Sequence, residues 1–310
     1  MADYKRILAV IDPAEEQQKS LRRALELADK TGGKVTAFLT IYDFSYDMTT
    51  MLSVEEREMM RQAVVDDRIE WLSGVVEAEF PDTKNAVEVK VVWHNRPYES
   101  IIIEAIEGFY DLIVKGTNRH DTLKSVIFTP TDWHLLRKSP TSVLLVKDHD
   151  WPENGQVLGC VNAGSEDEAH RSLNNKIINT AHIMAKLLKS NVHLVNSYPG
   201  TPVNIAIEIP EFDPASYNES VKNYHQENMM KLAKEHAVAE ENCHVREGLP
   251  EDAIPAVARL LDAELVVIGT VGRQGISAAL IGNTAEHVID MLNCDVLALK
   301  PADFKSPIKP

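Results

Sequence analysis

The chain has 310 residues, length for about two ordinary domains, and 44% of them are hydrophobic, enough for a core in each half. Its formal net charge of −15 argues against nucleic acid and anionic membrane surfaces as partners, since both require basic patches. No apolar run reaches the roughly 18 residues that a membrane-spanning helix needs.

In chain order, Ile7–Ile11 is an apolar run of strand length. Leu21, Ala24, Leu25 and Ala28 then keep helical spacing until Gly32-Gly33 ends the helix. Val35–Tyr42 reads as the second strand. Ser53 with Glu56 is a capping box that opens a long helix through Trp71 to about Glu79. Val87–Trp93 is the third strand, Ile102, Ala105, Ile106 and Phe109 mark the next helix, and Leu112–Val114 is the fourth strand. The second half repeats this order: strand Val157–Val161, a helix around Lys176–Leu188, strand Val192–Tyr198, then a helix carrying Tyr217, Val221 and Tyr224. Strand Cys243–Glu247, helix Ala253–Leu261, strand Leu265–Ile268, helix Ala285–Leu292 and strand Val296–Leu299 complete it.

The two halves align in sequence. Asp12 after the first strand falls on Asn162, an offset of 150, while Gly116 falls on Gly269 and Pro97 on Pro250, an offset of 153. The last strands, Ser142–Lys147 and Asp295–Lys300, keep the offset of 153. Two tandem domains are expected, 1–150 and 151–310, joined through the polar stretch Asp148–Asn154. Continuous apolar strands alternating with helices predict, for each domain, a doubly wound α/β fold around five parallel strands. Ligands of such sheets bind beyond the carboxyl ends of the strands, at the topological switch point. The loops there hold Asp12 and Gly116 in the first domain, and Asn162 and Gly269 in the second.

The second of those loops carries the chemistry. Gly269-Thr270-Val271-Gly272 follows an apolar strand, and Gly282-Asn283-Thr284-Ala285-Glu286 opens a helix, with two residues between the first pair of glycines and nine before the third. Strand, glycine loop and helix start together suit a phosphate, because glycine admits close backbone approach and the free N–H groups of a helix N-terminus point at an anion. Asn283 and Thr284 can supply N–H groups and polar side chains, or Asn283 can simply cap the helix with Glu286 at N3. Arg273 can meet phosphates or be an ordinary exposed loop arginine. In the first domain Arg119 stands at the second glycine, and Thr129-Pro130 at the third glycine and the residue after it. Proline has no N–H to donate, so this cradle is expected to be lost.

The spacing of Gly269, Gly272 and Gly282 resembles the nucleotide loop of the universal stress protein family, in which Ser or Thr usually follows the third glycine. The resemblance covers nearly the whole chain as two fused domains. It implies a cytoplasmic stress-response protein that binds ATP or a related adenine nucleotide as a regulatory module, not an enzyme. Asn162 stands where the family usually carries Asp, and either contacts base or ribose or is a strand-end turn residue. Val195 stands where the family lines its adenine pocket, though core packing explains it equally. The resemblance also implies packing of the two halves through their last strands as an intramolecular pseudo-dimer, with further homodimerisation left open.

Other chemistries find less support. The eleven histidines show no HExxH-type spacing, and no metal is expected. GxSxG, GxxxxGK[ST] and GxGxxG motifs are missing from the places where they would act, which leaves a slow ATPase without a named base. The three cysteines form no CxxC pair or disulfide framework, and Cys160 and Cys294 read as small core residues of a reducing cytoplasm. Met1–Arg6 leads at once into a strand, so no signal peptide is expected. Met48, Met51, Met59 and Met60 cluster after the second strand; core filling accounts for them, and an adaptable surface for an apolar ligand is the alternative.

Overall fold

A computed structural model describes residues 4–46, 48, 51–81, 86–119, 126–200, 213–270 and 283–310. The chain divides into two compact units, one of Met1–Asp148 with Lys305–Pro310 and the other of His149–Phe304. The boundary lies between Asp148 and His149. The last residues join the first unit because Ser306 Oγ donates to the carbonyl of Lys138 at 2.8 Å.

In the first unit, β1 (Arg6–Val10), β2 (Lys34–Ile41), β3 (Val87–Trp93), β4 (Leu112–Gly116) and β7 (Ser142–Val146) form a parallel sheet in the order β3-β2-β1-β4-β7. Around it run α1 (Lys19–Thr31), α2 (Val54–Glu79), α3 (Pro97–Glu107) and α4 (Pro130–Lys138). Gly32 ends α1 with φ 67°, a left-handed turn that glycine adopts without strain. Ser53 and Glu56 form the expected capping box of α2. A two-residue antiparallel pair, β5 (Asn118–Arg119) with β6 (Val126–Ile127), follows β4.

The second unit repeats the design with β8 (Gln156–Cys160), β9 (Val192–Tyr198), β10 (Cys243–Glu247), β11 (Ala263–Gly269) and β12 (Asp295–Leu299), in the order β10-β9-β8-β11-β12 and again all parallel. Its helices are α5 (Glu168–Leu188), α6 (Pro214–Glu235), α7 (Pro250–Leu261) and α8 (Asn283–Met291). Pro97 and Pro250 both sit at a helix start, where a missing N–H costs nothing. Leu158, Leu194, Val266 and Leu297 are fully buried in this sheet, as expected for strands covered on both faces. Cys160 and Cys294 are buried, and burial pushes the Cys160 thiol up.

Apolar spacing marks no helix over Pro130–Lys138, where the structure has α4. Thr129 is its N-cap, exchanging hydrogen bonds with Asp132, and Pro130 is its first residue. The cluster of methionines also departs from expectation. Met48, Met51, Met59 and Met60 are 62%, 98%, 72% and 40% exposed, so none of them fills the core. No described helix is long and apolar enough to cross a membrane.

Candidate functional site

In the second unit β8 and β11 are neighbours, but the chain leaves β8 toward β9 and β11 toward β12. Their carboxyl ends therefore mark the switch point, where diverging loops open a crevice. A cleft of about 490 Å³ lies there, lined by Asn162, Val195, Asn196, His225, Gly269 and Thr284 among others. That volume is in the range of small-molecule sites.

Each lining residue is placed by packing. Asn162 is exposed at the end of β8, and Asn174 of α5 fixes its backbone: Asn174 Oδ1 accepts from the Asn162 N–H and Asn174 Nδ2 donates to its carbonyl, both at 2.9 Å. Val195, 1% exposed, presents an apolar wall. The equally buried Asn196 accepts from the Ala163 N–H at 2.9 Å and donates through Nδ2 to His225 Nδ1 at 3.0 Å. Burial lowers the pKa of His225 below its ordinary value, which suits a neutral ring accepting from an amide. That ring also stacks on Tyr198, centroids 5.3 Å apart.

Gly269 has a reason to be glycine that the spacing did not reveal. A Cβ there would lie 2.5 Å from Leu173 Cδ2, so the space toward α5 is already taken. Asn283 opens α8 as its first residue, and Thr284 beside it is exposed at the cleft. Gly272, Arg273 and Gly282 lie outside the described residues. The cleft thus unites Asn162, Val195, Gly269 and Thr284 with three side chains that spacing alone does not single out: Asn174, Asn196 and His225. All three act across elements, and the one local signal is Asn196, a polar residue directly after the apolar pair Leu194-Val195 of β9.

The same place in the first unit holds a cleft of about 220 Å³. Lys115, where the offset of 153 puts Ile268 in the second unit, points its Nζ at the fully buried Asp132, 2.7 Å from Oδ1. Asp132 Oδ2 accepts from the N–H and the hydroxyl of Thr129 at 2.6 and 2.9 Å. The stem of Lys19 packs under Gly116, where a Cβ would be 2.8 Å from Cε, and its Nζ lies 2.9 Å from Glu15. Burial raises the pKa of Glu15, with Lys19 opposing. Asp12 accepts the Ala14 N–H at 3.0 Å, the local turn role open to a strand-end Asp.

Among the described residues no three His, Cys, Asp or Glu side chains converge as metal ligands would. The family model described as "Universal stress protein family" matches residues 3–147 and again 170–300. The chain belongs to the universal stress protein family. Both units carry the family match, so the tandem repeat read from the sequence is a repeat of one family domain. Universal stress protein E of Escherichia coli K12 is 50% identical over 310 residues, covering all of this chain and 98% of that protein. The Universal stress protein E homolog of Haemophilus influenzae is 41% identical over 304 residues, with 96% of this chain and 98% of that one covered. Among solved structures, a Pseudomonas aeruginosa UCBPP-PA14 protein described as a universal stress protein covers 98% of this chain and 95% of its own, at TM-score 0.74 and 31% identity. A universal stress protein of Archaeoglobus fulgidus covers 97% of each chain at TM-score 0.60 and 16% identity, a likeness of fold alone.

Proposed function

We propose that this chain is a cytoplasmic stress-response protein whose second unit binds ATP or a related adenine nucleotide and acts as a regulatory binding module. The observation that carries the reading is the contrast between the two clefts. The second is an open 490 Å³ with an apolar wall at Val195 and polar groups at Asn162 and Thr284. The first is 220 Å³ and furnished with its own charges, Lys115 against Asp132 and Lys19 against Glu15.

In this reading Val195 lies against the base and Asn162 meets base or ribose. Gly269, Gly272 and Gly282 let the backbone approach the phosphates, which Asn283, Thr284 and Arg273 also contact. In this reading the role is binding: among the described lining residues none pairs a nucleophile with a base. Calorimetric titration with ATP tests it: one-to-one binding that an Asn162→Trp variant abolishes is expected. No heat with any adenine nucleotide at millimolar concentration overturns it.

One observation favours a second reading, a carrier of an apolar small molecule. Phe44 and three methionines, Met48, Met51 and Met59, are each more than half exposed, and flexible thioethers make adaptable apolar surfaces. Native mass spectrometry of freshly isolated protein separates the two: a retained apolar compound supports the carrier, a retained nucleotide the module.

A further inference from the structure

One wall of the second unit's cleft has a hydrogen-bond polarity that the backbone dictates. The Ala163 N–H, just past β8, can only donate, and it donates to Asn196 Oδ1 at 2.9 Å. The other end of that amide, Nδ2, therefore faces His225 of α6, and an amide nitrogen carries only donors. His225 Nδ1, 3.0 Å away, is then the acceptor, so the neutral ring holds its proton on Nε2. Asn196 is 1% exposed, and turning its amide over would set Nδ2 against the Ala163 N–H with no water to relieve it. His225 Nε2 has no hydrogen-bond partner among the described residues, and the residue lines the cleft.

Packing holds the ring as well. It stacks on Tyr198 with centroids 5.3 Å apart, and Tyr224 stands perpendicular to it at 5.7 Å. It also fills the space beside Gly164, where an added Cβ would lie 2.2 Å from His225 Cε1. The first unit lacks this device. There the Ile11 N–H bonds the Phe38 carbonyl as the Val161 N–H bonds that of Val195, which aligns Pro13 with Ala163 and Leu39 with Asn196. Pro13 has no N–H, Leu39 has no amide, and α2 contains no histidine. The other histidine of the lining, His170, has its Nδ1 3.0 Å from Asp167 Oδ2. A neutral ring there donates from Nδ1, the reverse of His225.

A site built around a fixed donor rejects analogues that lack the matching acceptor, because the donor is then left unpaired. Burial lowers the pKa of His225, which keeps the ring neutral at neutral pH. We propose that His225 donates its Nε2–H to a ring nitrogen of the bound base, with Asn196 as the positioning residue that sets its tautomer. The proposal rests on the adenine-nucleotide reading above and deepens it. Val195, directly before Asn196 in β9, offers the base an apolar face, and His225 offers its edge a donor. The unprotonated ring nitrogens of adenine are acceptors for such a donor, so the cleft reads the base itself and not only its apolar surface.

The test is calorimetry of adenosine beside its 1-deaza, 3-deaza and 7-deaza analogues, each of which replaces one ring nitrogen by C–H. One of these analogues is expected to bind the unmodified chain about three- to tenfold more weakly than adenosine. His225→Phe keeps an aromatic ring against Tyr198 but has no N–H, so it should bind adenosine and that analogue alike. Nitrogen NMR of the His225 ring in the ligand-free chain reads the tautomer directly. The Nε2–H form is expected, and Asn196→Leu should let the Nδ1–H form appear, a change that a merely structural asparagine would not produce. Equal binding of adenosine and every analogue, the same loss in His225→Phe, or an Nδ1–H ring in the unmodified chain overturns the proposal and leaves the nucleotide reading standing. Should His225→Phe not fold, the analogue series and the tautomer of the unmodified chain decide. If no adenine compound binds, the nucleotide reading and this proposal fall together.

Discussion

Asn174 closes a two-way hydrogen bond on the backbone of Asn162, accepting from its N–H and donating to its carbonyl, both at 2.9 Å. The first unit does the same for Asp12 with a different residue: Gln18 Oε1 accepts from the Asp12 N–H at 3.2 Å and Nε2 donates to its carbonyl at 2.8 Å. In both units a side-chain amide satisfies the peptide groups that lie just beyond the last strand pairing. It thereby fixes the residue at the lip of the cleft.

Asn174 is 4% exposed, so removing its amide leaves both peptide groups of Asn162 short of partners. Asn174→Ala is expected to cost about 1–3 kcal/mol of stability in chemical denaturation. ATP affinity should fall as well, because the site loses the fixed position of Asn162. Unchanged affinity in a destabilised variant would mean that the ligand does not use this lip.

The charges of the first cleft lead to a second prediction. Asp132 is fully buried and is both the partner of Lys115 and half of the α4 capping box. Asp132→Ala strands a buried ammonium, an expected loss of about 3–5 kcal/mol. The paired variant Lys115→Ile with Asp132→Ala should recover most of that loss, retaining only the cost of the missing cap, about 1 kcal/mol. Urea unfolding of the three proteins checks this. A double variant as unstable as the single would show that the cap, not the stranded charge, accounts for the loss.

Much of this architecture is legible in the sequence because it is local. The spacing of apolar residues marks Val87–Trp93, Val192–Tyr198 and Cys243–Glu247 to the residue, and Ser53 with Glu56 marks the start of α2. The offset between halves reveals the repeat. Thr129-Pro130 is the instructive miss. At a phosphate site Pro130 counts as a missing N–H, yet at a helix N-terminus that N–H is not needed. The roles of Asn174, Asn196 and His225 depend on partners 12, 33 and 29 residues away. No spacing rule reaches so far without the fold. The methionines count as core fillers by residue type alone, and type carries no sidedness: Met48 and Met51 precede α2, and on α2, which holds Met59 and Met60, Leu72 is the one fully buried residue among those described.

Gly269 separates two reasons for one glycine. Any added methyl points at Leu173 and not at open space. Gly269→Ala should therefore destabilise by about 1–3 kcal/mol through overpacking. Leu173→Ala in that background should restore both folding and ATP binding. Restored folding with binding still lost would put the demand for glycine on the ligand side.

The stability of the unliganded chain should also depend on pH through Lys300. Unfolded, this side chain keeps its proton up to the ordinary value of 10.5, whereas folded it gives the proton up near 7. Between those values the unfolded chain binds more protons, so stability rises with pH. The penalty for burying the amine is present in full below about 7 and is relieved as pH climbs toward 10.5. Lys300→Met has no proton to lose, so its stability should show a flatter slope across this window and exceed that of the unmodified chain at neutral pH. Thermal unfolding of the two proteins across the window measures both slopes. A slope in the unmodified chain no steeper than that of Lys300→Met would show that Lys300 is charged in the empty protein.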